Sequence, residues 1–415
     1  VERKMLRSSL LVLVLGLLFV VDQGTCVDNG LALRPAMGYN TWNDYRCTVN
    51  EDDVKSAADA VIALGLDKVG YEYVNLDDCW ASSRDNNGVI QADPQTFPSG
   101  IESLADYVHN LGLKFGIYTD RGNETCAGRP GSLTYESIDA QTYASWGVDY
   151  LKEDSCYASS DHQTAFDEYG TMRDALNSTG RPIYFSLCGW HTWYAPQGQS
   201  LGNSWRIAGD CVDWETTLNA MNKNSQLASY AGPGGWNDPD MLIGSSAGTA
   251  FDLSPHQSRT MFSMWSVMAA PLLIGSNIHN LSSWDYETYS NIEVISVDQD
   301  DLGLQGIRLA GGNLGLGIYD ASSPDSPLPS QTNVWGRQLV HGSWAVVFLN
   351  NQDTEADITC DSDCFSQMNF GVDTVYVRDL WTHTNNGTTS TSSYTAKNVP
   401  RRGGSVMVRF DLQFA

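Results

Sequence analysis

Two short segments place carboxylates where they could break a covalent bond. Tyr150-Leu-Lys-Glu-Asp-Ser-Cys156 reads as a buried strand ending in a lysine, a carboxylate and a cysteine. Ser204-Trp-Arg-Ile-Ala-Gly-Asp210 has a similar form and brings Arg206 and Asp210 to its end. Two carboxylates on the tips of different strands of one barrel are what glycosidic-bond cleavage needs: one attacks, the other shuttles a proton. Taken singly, Asp154 and Asp210 read equally as strand terminators or helix caps.

Other strand-like runs end in residues suited to a sugar. They are Trp42, Asp77-Asp78-Cys79-Trp80, Tyr118 with Asp120, Cys188 with Trp190, and Trp236 with Asp238 and Asp240. An indole face stacks on the apolar CH face of a sugar ring, while its hydroxyls need charged partners. The acids are spread over separate strands with Lys152 and Arg206 among them, which disfavours a metal site. None of the seven histidines stands at a ligand spacing, and no HExxH occurs. There is no Gly-x-Ser-x-Gly elbow. Gly232-Pro-Gly-Gly235 lacks the Lys and Ser/Thr of a phosphate loop and reads as a structural turn.

These tips need elements to carry them. Between Leu31 and Ser296, strands are expected at Ala36–Trp42, Tyr73–Asp77, Phe115–Thr119, Tyr150–Glu153, Ile183–Leu187, Trp205–Ile207, near Ala231, and at Pro271–Gly275. Helices are expected at Asp52–Leu64, Ile101–Leu111, Ile138–Trp146, Phe166–Leu176, Glu215–Leu227 and Pro255–Ala269. Alternation of this kind predicts a (β/α)8 barrel over residues 31–302. A doubly wound open sheet is the alternative, but no Gly-rich phosphate turn follows the first strand. After Gly303 the pattern changes to strands without good helices: Gly315–Ala321, Asn333–Leu339, Trp344–Asn350, Ala356–Cys360, Thr374–Leu380 and Ser405–Leu412. Residues 303–415 thus read as an antiparallel β-sandwich, with Asn385–Ser393 an exposed loop.

The 415 residues hold 24 basic and 49 acidic side chains, a formal charge of −25. That balance argues against nucleic acid and anionic membranes as partners. Arg3, Lys4 and Arg7 precede an apolar run from Leu10 to Val21, which reads as a secretory signal peptide over about residues 1–26, starting at Met5 and cleaved between Gly24 and Gly30. Secretion makes the nine cysteines disulfide candidates. Asn123, Asn177, Asn280 and Asn386 open glycosylation triplets. The expected place is outside the cell, or a vacuolar or lysosomal lumen reached by secretion, without a membrane anchor.

The chain resembles the secreted retaining α-galactosidases and α-N-acetylgalactosaminidases of glycoside hydrolase family 27, from about Leu31 onward. The motifs that carry this are Met37-Gly-Tyr-Asn-Thr-Trp42, Asn75-Leu-Asp-Asp-Cys-Trp80, Gly116-Ile-Tyr118, Lys152-Glu-Asp-Ser-Cys156, Arg206-x-x-x-Asp210 and Trp236-Asn-Asp-Pro-Asp-Met241. The resemblance implies that Asp154 is the nucleophile and Asp210 the acid/base. It implies that Asp77, Asp78 and Lys152 bind galactose hydroxyls, that Arg206 binds those near the reacting carbon, and that Trp42 and Tyr118 wall the pocket. Cys126, Cys156, Gly189 and Trp190 complete the implied substrate site. Cys47–Cys79 and Cys126–Cys156 match family disulfides, and Asp298-Gln-Asp300 resembles the family's passage from barrel to β-domain. No metal or organic cofactor is implied, the partner is a carbohydrate with terminal α-galactose, and a homo-oligomer is left open.

Within this frame Lys152 faces the same way as Asp154 and should keep it ionised. Asp210 should stay protonated, favoured by partial burial and the charge of Asp154. Asp213 lies off the Arg-x-x-x-Asp register. One departure concerns selectivity: many galactosidases carry Glu after the fifth-strand cysteine, where this chain has Gly189. That opens room for an N-acetyl group unless His191-Thr-Trp193 refills it. Cys188 and Cys211 pair with each other or stay free, and Cys360 and Cys364 close a small loop or stay reduced. The other readings are an α-N-acetylgalactosaminidase, a β-L-arabinopyranosidase and a non-catalytic galactose-binding lectin.

Overall fold

The computed structural model describes residues 27, 29–246, 248, 251, 253–315 and 331–412. The expected leader and, beyond Gly315, the strand expected at Gly315–Ala321 lie outside the described residues. Eight parallel strands form the first part: β1 (Met37–Asn40), β2 (Tyr73–Asn75), β3 (Lys114–Asp120), β4 (Tyr150–Asp154), β5 (Tyr184–Leu187), β6 (Ser204–Arg206), β7 (Trp236–Asp238) and β8 (Leu272–Ile274). Each pairs with the next in sequence from β1 to β7, and β8 pairs with β1. The ring closes just past β7, where Leu242 N–H donates to the Leu273 carbonyl (2.8 Å) and the Leu242 carbonyl accepts from Gly275 N–H (2.9 Å). This is the expected (β/α)8 barrel.

The seventh strand is not near Ala231. That stretch is a single 3-10 turn, Ala228–Tyr230, and a tight turn bridges Gly232 and Gly235 before β7 begins. The glycine-rich turn pushes the strand five residues on. The helix Ala195–Leu201 was also not expected, because Pro196 and Gly198 weaken its pattern. It fits because Gly198 lies flat on Trp205, where a Cβ would come within 2.2 Å of the indole.

Alternate residues of a strand face the same way, so the barrel interior is built in layers. Tyr73, Tyr150 and Tyr184 fill the floor, the last two stacked at 4.7 Å between ring centres. Two residues further along the same strands stand Asn75, Lys152 and Ser186, and two further Asp77, Asp154 and Cys188. A period of two thus lifts the chemistry to the C-terminal mouth. Gly116 makes the middle layer possible: a Cβ there would meet the Asn75 side chain at 1.9 Å.

The second part is antiparallel. A six-stranded sheet runs in the order β9 (Ile307–Gly311), β10 (Thr332–Gln338), β11 (Trp344–Asn350), β16 (Gly404–Asp411), β13 (Thr374–Asp379), β14 (Thr384–Ser390). A two-stranded sheet, β12 (Ala356–Cys360) with β15 (Tyr394–Val399), packs across it through Ile358, Cys360, Ala396 and Val399. The Ser/Thr-rich stretch is exposed as expected, but it forms strand β14 rather than a loop. It sits at the sheet edge with only β13 beside it, and β-branched threonine suits an edge strand whose faces are wet. A helix, Ser362–Met368, also interrupts this part; Asp361 caps it by accepting from Asp363 and Cys364 N–H.

Strand β11 is buried along its whole length. Val346 and Phe348 join the sandwich core, while Ala345, Val347 and Leu349 join the barrel's. Arg337 on β10 is fully buried and donates to the carbonyls of Ser266 and Asp298, both at 2.9 Å. Those carbonyls end the barrel helices Pro255–Val267 and Ile292–Asp298, where a cation complements the helix dipole.

Candidate active site

The mouth of the barrel holds a partly enclosed pocket. It is lined by Trp42, Asn43, Asp77, Asp78, Tyr118, Cys126, Lys152, Asp154, Trp190, Arg206, Asp210, Asp240 and Met241. The lining includes ten of the twelve site residues that the resemblance implied; Cys156 and Gly189 fall outside it. So do the strand-tip residues Cys79, Trp80, Asp120, Cys188, Trp236 and Asp238, which are buried, so the indoles of Trp80 and Trp236 are not platforms of this pocket. Asn43 was not singled out, and Met241 only as the end of a motif with no role given; each lies beside a strand-tip residue, which was the available signal.

Asp154 ends β4 and is 6% exposed. Its Oδ2 accepts from the Tyr118 hydroxyl (3.0 Å) and its Oδ1 from Ser155 N–H (3.0 Å). Burial raises its pKa above the ordinary carboxylate value, against the opposing charge of Lys152. Lys152 itself donates to Asp77 Oδ2 at 2.8 Å rather than to Asp154. The same Asp77 oxygen also accepts from Asn40 Nδ2 at 2.8 Å. Asp78 accepts from the backbone of Cys79 and Ala127, and burial raises its pKa.

Arg206 is the cationic centre opposite, buried and bracketed by two carboxylates. Its guanidinium lies 3.0 Å from Asp210 and 2.9 Å from Asp240. Asp240 is buried at positive φ (112°) and accepts from Cys211 N–H at 2.7 Å. Asp210, by contrast, is 58% exposed at the mouth. Burial pushes its pKa up, but the charges of Arg206 and Lys152 outweigh it and hold the carboxyl below its ordinary value. This runs against the expected protonated state; Arg206, four residues earlier at the end of β6, decides the direction. Asp213 is a helix N-cap that accepts from Thr216 N–H at 2.8 Å, so it serves the helix Trp214–Asn224.

Two disulfides brace the rim. Cys47–Cys79 ties the chain after β1 to the tip beyond β2, and Cys126–Cys156 ties the loop after β3 to that after β4. Asp120 seats the second by accepting from Cys156 N–H at 2.8 Å; burial, and then the charge of Asp154, push its pKa up to about 8. Cys360 and Cys364 are bonded, whereas Cys188 and Cys211 are free and buried. Gly189 does not leave a void. A Cβ there would stand 1.9 Å from the Tyr194 ring, which fills the space one residue beyond the His191-Thr-Trp193 run.

Residues 34–300 match the family model described as Alpha galactosidase A, and residues 330–410 match Alpha galactosidase C-terminal beta sandwich domain. An alpha-galactosidase of Oryza sativa subsp. japonica is 43% identical over 86% of this chain and 80% of its own. One from Cyamopsis tetragonoloba is 43% identical over 86% of this chain and 82% of its own. The crystal structure of alpha-galactosidase I from Mortierella vinacea superposes with a TM-score of 0.81 at 34% identity, covering 92% of this chain and 98% of that one. A barrel whose mouth carries these tips, joined to this sandwich and matched along both parts, belongs to the alpha-galactosidase family, glycoside hydrolase family 27.

Proposed function

We propose that the protein is a retaining exo-glycosidase that removes terminal α-linked galactose from oligosaccharides, polysaccharides or glycoconjugates. The observation that carries this is the unequal pair: a buried carboxylate on the pocket floor and an exposed one at its mouth. Asp154 attacks the anomeric carbon while Asp210 gives its proton to the departing oxygen; water, deprotonated by Asp210, then releases galactose from Asp154. Two inversions return the α-configuration. Asp77, Asp78 and Lys152 form the charged, hydrogen-bonding end of the pocket that grips the sugar hydroxyls, and Trp42 and Tyr118 wall it. Support comes from the yeast alpha-galactosidase solved with raffinose, which superposes with a TM-score of 0.82 at 29% identity.

The glycone is galactose rather than N-acetylgalactosamine, because Tyr194 occupies the space that the missing side chain at Gly189 would have vacated. The protein acts outside the cell or in a vacuolar or lysosomal lumen. In support, the glycosylation-triplet residues Asn123, Asn177, Asn280 and Asn386 are all exposed. The test is proton NMR of p-nitrophenyl α-galactoside during cleavage. α-Galactose appearing first supports retention; β-galactose first would mean inversion, and no galactose at all would leave the lectin reading.

A further inference from the structure

The wall on the Trp42 side carries a cation that the proposed reaction does not use. Arg46 follows the short helical turn Trp42–Tyr45, whose first residue lines the pocket. Its backbone stands at φ 49°, ψ −140°, a conformation costly for a residue with a long side chain. The next residue, Cys47, is bonded to Cys79, so the turn is pinned to the strand tip that carries Asp77 and Asp78.

The guanidinium carbon lies 4.8 Å from the centre of the Trp42 ring and 4.9 Å from that of Phe251. Both contacts fall within cation–π range, so the side chain is held in place without consuming its N–H donors. Among the described residues Arg46 forms these ring contacts and no ion pair. A guanidinium offers five donors and no acceptor, which suits oxygen-rich partners. The ring it lies over is itself part of the pocket lining and Arg46 is half-exposed, so the guanidinium stands at the rim that a group leaving galactose must pass.

We propose that Arg46 is a specificity-determining residue for the leaving group, donating hydrogen bonds to hydroxyls of the sugar attached to galactose. The ring-held guanidinium then favours a sugar leaving group over an aromatic one. This rests on the reading of the pocket as a galactoside site.

The experiment compares the unaltered protein, Arg46→Gln and Arg46→Lys on two compounds, a galactosyl-α-1,6-glucose disaccharide and p-nitrophenyl α-galactoside. The inhibition constant of free galactose is measured alongside. For Arg46→Gln, the ratio of kcat/KM for disaccharide over aryl galactoside should fall about threefold to tenfold, the worth of one or two hydrogen bonds, and mainly through KM. Arg46→Lys should recover part of it, and galactose should inhibit all three proteins alike. An unchanged ratio overturns the proposal. So does an equal fall on both compounds with weaker galactose inhibition, which would make Arg46 a prop for Trp42. An unaltered protein that cleaves neither compound sinks the galactosidase reading itself, and the proposal with it.

Discussion

Lys152 Nζ donates to Asp77 at 2.8 Å, not to Asp154 two residues along its own strand. The lysine therefore acts on the floor carboxylate only as a nearby charge, while its hydrogen bond orders the end of the pocket proposed to bind the sugar hydroxyls. Both effects disappear together in Lys152→Met. Loss of a hydrogen bond to a charged group should cost about 10- to 100-fold in kcat/KM. Loss of the charge should raise the pKa of Asp154 further and move the acid limb of the pH–rate profile upward. A fall in rate with the acid limb unmoved would show that the charge of Lys152 does not reach Asp154.

The profile itself should peak at acid pH. Asp154 must be ionised, and its raised pKa means that rate is lost as pH falls from above the ordinary carboxylate value. Asp210 must be protonated, and its lowered pKa means that rate is lost early as pH rises. With the pKa order reversed, only a minor fraction of the free protein carries the productive arrangement at any pH. Measured kcat/KM that stays flat through pH 9 would remove Asp210 from its role.

Asp210 and Asp213 should separate cleanly. Asp210→Asn should abolish turnover of substrates with poor leaving groups. Asp213→Asn should keep full activity and nearly full stability, because an asparagine side-chain oxygen caps a helix as well as an aspartate. Kinetics and denaturant titration of both variants check this, and the opposite pattern would mean that the proton donor has been misassigned.

Gly189→Ala should be destabilising by about 1–3 kcal/mol, because its Cβ would need the space of the Tyr194 ring. For the unaltered protein, kcat/KM for an α-galactoside should exceed that for the N-acetylgalactosaminide well beyond tenfold, since a filled wall costs an acetamido group several kcal/mol. A ratio of about one or less would show that Tyr194 yields.

Stability should decline as pH rises from about 4 to 8. Asp120 and Asp298 are raised to about 8, chiefly by burial. Both hold a proton in the fold that the unfolded chain releases near pH 4, so their contribution is full below that and lost as pH passes the folded value. Asp298→Asn should flatten the dependence of Tm on pH. A Tm equally high at pH 5 and pH 8 in the unaltered protein would contradict this.

What was legible in the sequence is what a period of two transmits. Tyr150, Lys152 and Asp154 announce a strand with its reactive end, and the same holds for Tyr73 to Asp77, so the barrel and most of the pocket lining followed. Features set by neighbours distant in sequence did not. The Tyr194 ring behind Gly189, the Asp77 that captures Lys152, and the share of Arg206 between Asp210 and Asp240 all depend on side chains brought together by closure of the barrel. The strand after Gly232-Pro-Gly-Gly235 was displaced because glycine marks a turn without giving its length. Edge strand β14 was hidden because a wet strand has the composition of a loop.

Strand β11, buried on both faces, makes the C-terminal half a structural partner of the barrel rather than a detachable accessory. Expressed alone and ended after Asp298, the barrel would bare the patch that meets Ala345, Val347 and Leu349 and would lose the arginine capping two of its helices. Such a fragment should aggregate. New specificities in this scaffold would then arise by altering the loops at the mouth rather than by exchanging halves.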